Sequence, residues 1–128
     1  MTAFDTLSAL PPFDVEITES LPAEHALELV RGDAFHVVLT VRQYGGRVAL
    51  SALSGAATIR RAIDHSTTWP LTVNVAQDTT GEITISATAS ETAELPESGV
   101  WDLQLQGASA EERRTLVRGS FTLLREVT

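Results

Sequence analysis

The sequence predicts an all-β domain, and three observations predict it. Apolar and polar residues alternate with period two in one segment after another, the pattern of strands with a single buried face. Turn signals separate these segments at about the 8–12-residue spacing of small β-domains. Only Ser90 to Leu95 has helix-forming character, and Pro96 stops it.

Residues 1–12 show no clear period and end in Pro11-Pro12, which stiffens the chain and blocks a helix. They read as an N-terminal arm, with a β-sandwich domain over 13–128. Phe4, Leu7 and Leu10 recur every third residue along the arm, which makes them candidate contacts for a partner that would order it. Phe13, Val15 and Ile17 then alternate with acids and threonine, and Leu27 to Val30 is a second short strand. In the clearest strand, Phe35, Val37, Leu39 and Val41 point one way and His36, Thr40 and Arg42 the other. Tyr44-Gly45-Gly46-Arg47 closes a hairpin, because glycine supplies the positive φ that tight turns require.

Val48 to Leu50 is expected to resume the sheet and Ser54-Gly55 to break it. Ala57, Ile59 and Ile63 mark a further strand, with a bulge or an edge expected at Arg61. Residues 64–70 read as a polar connection. Leu71, Val73 and Val75 pair with Ile83, Ile85 and Ala87 across a turn at Asp78-Thr79-Thr80-Gly81. After the helical turn come Trp101, Leu103 and Leu105, and finally Val117, Phe121 and Leu123. Gly119, between the last of these, is where a bulky neighbour is expected to press on the backbone. About eight short strands with one helical turn fold economically as an immunoglobulin-like sandwich of two antiparallel sheets.

The 128 residues suffice for one core, burying roughly two-thirds of the unfolded surface. No apolar run approaches the ~18 residues of a spanning helix, so a membrane partner is not expected. The first five residues carry an acid where a secretory signal would carry basic residues, so synthesis in a cytoplasm is expected. Absence of cysteine excludes disulfides, thiolate metal sites and cysteine nucleophiles. With a net charge of −8 and no basic cluster beyond Arg60-Arg61 and Arg113-Arg114, nucleic acid is not an expected partner.

The motif search argues against an enzyme. No G-x-S-x-G elbow, G-x-G-x-x-G or Walker loop occurs. His25, His36 and His65 lie in separate segments without ligand spacing, and Glu91 with Glu94 belong to an exposed helical turn. Asp78 to Gly81 offers one carboxylate, too few for calcium. Neither a cofactor nor a metal is expected. Arg31-Gly32-Asp33 matches an integrin-binding tripeptide, yet between two strands it reads as a turn. Trp101 reads as core, whereas Trp69 beside Pro70 is a candidate contact residue. A carbohydrate-binding module would need Trp69 and Tyr44 on one exposed face.

The order of these features resembles a family. Leu27-Glu28-Leu29-Val30-Arg31-Gly32-Asp33-Ala34-Phe35, then Ser54-Gly55-Ala56-Ala57-Thr58-Ile59-Arg60, Thr80 to Ile85, the turn at Ser90 to Leu95, Gly99 to Leu105 and Leu116 to Leu123 follow the sequence seen there. They are similar to the small β-sandwich found in tail genes of long-tailed phages and as the N-terminal domain of upper baseplate proteins. The likeness covers about residues 25 to 125. It implies a virion structural protein that docks to a tail hub, baseplate or capsid protein in several copies, located in the virion after synthesis in the bacterial host. Because the sequence stops at Thr128 without a stalk or receptor-binding region, an adaptor or a capsid decoration protein is the expectation, rather than a receptor binder.

Overall fold

The computed structural model describes residue 10 and residues 12–17, 22–61, 67–107 and 113–124. Along them run β1 (Phe13–Glu16), β2 (Ala23–Glu24), β3 (Leu27–Val30), β4 (Phe35–Gln43), β5 (Gly46–Arg47) and β6 (Ser54–Arg60). Then follow β7 (Thr68–Val75), β8 (Glu82–Ala87), α1 (Ala89–Ala93), β9 (Ser98–Gln106) and β10 (Arg114–Leu124). The chain is thus nearly all β. The one helix among the described residues is short and begins where expected, because Thr88 and Glu91 form a reciprocal capping box that satisfies two N–H groups.

The strands form one continuous path, β1-β4-β8-β7-β6-β9-β10, ending on β2 and β3 beside β10, with β5 beside β4. In β7, Thr68 to Leu71 pair with β6, whereas Thr72 to Val75 pair with β8. Pro70 sits just before this exchange, in the half of β7 that has no ladder with β8, where a missing N–H is tolerated.

This departs from the expected sandwich of two purely antiparallel sheets with about eight strands. The ten described strands are joined in one sheet, and β1 with β4, β2 with β10 and β3 with β10 are parallel. Alternation reports which face a residue presents and says nothing of the direction in which its neighbour runs.

The inward faces supply a single core. Val37, Leu39, Val41, Ile83 and Ile85 from one half meet Ile59, Trp101, Leu103, Val117 and Phe121 from the other. A register shift between Thr115 and Val117 turns both Leu116 and Val117 inward, where strict alternation buries only one.

Three local expectations are corrected. Ser54-Gly55 begins β6 and does not break the sheet: a Cβ on Gly55 would meet Val73 and Val75, so glycine serves close packing here. Trp69 and Pro70 belong to β7 and not to a connection. Val48 to Leu50 lies outside the strands, with the Val48 N–H donating to Val41 O at 3.0 Å. Arg61 lies just past the end of β6, while Ile63 is outside the described residues.

The two ends of the path approach each other. The Phe13 ring on β1 stacks on the His25 imidazole between β2 and β3, with centroids 3.7 Å apart and planes 10° from parallel.

Candidate docking surfaces

Gly32, at φ +83°, makes the Arg31-Gly32-Asp33 turn. Its N–H donates to the Thr92 hydroxyl at 3.1 Å, and that hydroxyl reaches the carbonyls of Asp33 and Ala89, each at 3.0 Å. Arg31 extends to the Ala93 carbonyl at 2.8 Å. The tripeptide is therefore tied to α1 as a turn, and Thr92 is the one buried polar residue among those described.

The titratable groups do not converge. Among the described residues no three His, Asp or Glu side chains gather in a metal-binding arrangement. His36 is exposed on β4, and His65 lies outside the described residues. His25 is held in the seam, where burial lowers its pKa. Asp78 accepts both the N–H and the hydroxyl of Thr80, at 2.9 and 2.6 Å, which holds its carboxyl below the usual range. Its charge serves the turn.

Of the candidate contact residues, Phe4 and Leu7 lie outside the described residues. Leu10 is half-buried against the core, and its N–H donates to His36 O at 2.9 Å, which extends the line of β1 along β4. Trp69 is half-buried at the start of β7. With Pro70 and Leu71 it faces Glu91, Glu94 and Leu95 across a hollow of about 350 Å³. The guanidinium of Arg61 sits 5.9 Å from the indole centre.

A larger groove, of about 580 Å³, runs over β2, β10, β9 and β6. Its charges are spent on one another: Arg118 pairs with Glu24 at 3.2 Å and Arg60 with Asp102 at 3.4 Å.

Composition and alternation did not single out Tyr44 as a protruding residue. It is 95 % exposed, at φ 54°, followed by Gly45 at φ 80°. Two successive positive φ angles are the type I′ turn between β4 and β5. The signal available was the Tyr-Gly pair at a tight hairpin, since the first position of such a turn ordinarily holds Asn, Asp or Gly. Tyr44 follows the end of β4, whereas the Trp69 hollow adjoins α1, which follows Ala87 opposite Phe35 at the start of β4. Nine strand residues at about 3.3 Å each separate the two ends by roughly 30 Å. The two rings therefore share no face, and a sugar platform made from both is excluded.

No protein-family model matches the chain, and no curated protein matches it in sequence. Among solved structures, the N-terminal domain of phage TP901-1 ORF48 superposes with a TM-score of 0.52 at 8% identity, covering 91% of this chain and 98% of that one. The cysteine protease inhibitor EhICP2 of Entamoeba histolytica gives 0.43 at 8% identity over 90% and 97%, too low for argument. The bradyzoite antigen BSR4 of Toxoplasma gondii gives 0.32 at 13% identity over 91% of this chain and 48% of that one. The likeness to the phage domain is one of fold.

Proposed function

We propose that the chain is a structural module of a phage virion, an adaptor that docks to tail or baseplate proteins and performs no catalysis. The observation that carries this reading is the fold shared with the phage domain across nearly the whole of both chains. The two halves of the strand path on either side of β7 are read as the sheets of an immunoglobulin-like sandwich. Its ends and edges bind other virion proteins, in several copies around a symmetry axis.

Three further features fit this reading. Among the described residues, apolar surface is exposed at Tyr44 and Leu124 and around the Trp69 hollow. Among the described residues no helix is long and apolar enough to cross a membrane. The net charge of −8 favours protein partners over nucleic acid.

Mass spectrometry of purified particles, followed by cryo-electron microscopy, tests the proposal. Density for this fold on the tail tip supports the adaptor role, and density on the shell makes the chain a capsid decoration protein. Particles that lack the chain overturn the reading.

A further inference from the structure

Tyr44 carries two costs that nothing among the described residues offsets. A non-glycine residue at φ 54° is strained, and the tyrosine ring is left in water at 95 % exposure. The tip is nevertheless held in place. The Gly45 N–H donates to Glu16 Oε1 at 3.2 Å, Arg42 Nη1 donates to Gly45 O at 3.1 Å, and Arg42 is itself fixed by Asp14 at 3.0 Å. A rigid aromatic on a pinned turn loses little conformational freedom on contact.

The opposite end of the same molecule offers the matching hollow. Trp69, Pro70, Leu71 and Leu95 give it apolar walls, and Glu91 and Glu94 give it carboxylates. Glu91 has one oxygen occupied by the Thr88 N–H, whereas Glu94 has no ion pair among the described residues. The knob has the complementary charge: exposed Arg47, three residues past Tyr44, is likewise without an ion pair among the described residues. Arg61 adds a positive charge beside the hollow, its guanidinium 5.9 Å from the centre of the Trp69 ring.

We infer that a second copy of this chain is the occupant of the Trp69 hollow, with Tyr44 of one copy entering between Trp69 and Leu95 of the next and Arg47 meeting Glu94. Knob and hollow lie at opposite ends, so the contact is head-to-tail. It propagates into a ring when the rotation closes and into an open chain when it does not. One knob in one hollow buries less than the ~1,200 Å² of a standard interface, so assembly is expected only at high micromolar concentration. This inference rests on the two ends of the fold and stands apart from the virion reading, which particle composition tests separately.

Sedimentation equilibrium of the purified full chain over a range of concentrations tests it. The wild type is expected to associate reversibly, and Tyr44→Ala to weaken association by roughly thirty-fold or more, as loss of an interface anchor does. Arg47→Glu and Glu94→Arg are each expected to weaken it about tenfold, and the two together in one chain to restore it. All three substitutions lie on exposed side chains, and equal melting temperatures check that the fold is intact. A wild type that remains monomeric up to about 1 mM overturns the inference. So does association that Tyr44→Ala leaves unchanged, or a charge swap that fails to rescue.

Discussion

The indole N–H of Trp101 donates to the main-chain carbonyl of His25 at 2.8 Å, from a strand two places away in the path. Between them lies Gly119 of β10, which is opposite Trp101 in register and on which a Cβ would collide with the His25 carbonyl. The expected pressure on Gly119 is real, and the neighbour that presses is backbone. The His25 N–H in turn donates to Arg118 O at 3.0 Å. The segment joining β2 to β3 is thus fastened by a side chain on one strand and by the lack of one on the next.

Two substitutions separate these fastenings. Gly119→Ala should displace the His25 segment and cost roughly 1–3 kcal/mol, as overpacking does. Trp101→Phe keeps most of the ring but leaves the carbonyl unpaired, at about 1–3 kcal/mol. Urea unfolding midpoints measure both. A Gly119→Ala chain as stable as the wild type would show that the segment is free to move aside.

Thr92 joins the Arg31-Gly32-Asp33 turn to α1 through one hydroxyl, which accepts from Gly32 and shares its proton between the Asp33 and Ala89 carbonyls. Thr92→Val preserves shape and removes those bonds, so the Gly32 N–H loses its partner. The expected loss is about 1–3 kcal/mol. Faster amide exchange at Gly32 accompanies it, and exchange unchanged there would refute the link.

Gly55 accepts the Val73 and Val75 side chains, with Val73 Cγ1 only 2.7 Å from where a Cβ would stand. Gly55→Ala should therefore cost roughly 1–3 kcal/mol. The obstruction is a side-chain tip, so adding Val73→Ala should recover part of the loss. A double-mutant cycle on thermal stability measures that coupling.

These sites mark where the sequence was legible and where it was not. The faces of β4, β8 and β9 followed directly from alternation, because one buried face leaves one pattern. Gly55 and Pro70 misled, since glycine in a strand and proline in half-free β7 look locally like the breaks they resemble elsewhere. Leu116 escaped notice because a bulge shifts the period without a composition signal. The parallel neighbours of β1 and β3 depend on contacts far apart in sequence. The sequence singled out Trp69 but not the hollow beside it, for a similar reason: Trp69 and Leu95 are 26 positions apart (95 − 69), and only β7 and α1 together place them across one hollow.

The seam between the ends of the path carries a pH dependence of definite sign. Burial in the stack with Phe13 lowers the His25 pKa below its usual 6.5. The unfolded chain therefore binds a proton more readily than the folded one, so stability rises with pH across the interval between the folded value and 6.5. Conversely, stability falls as pH drops through 6.5 and levels off below the folded pKa. Asp78 acts in the acid range in the same direction, its contribution present above the usual 3.8 and lost as pH falls through its lower folded value. His25→Asn should flatten the slope on the acid side of pH 6.5 while leaving the limb set by Asp78 intact. Thermal midpoints across that range measure it, and a His25→Asn chain that keeps the full slope would move the titrating group away from the seam.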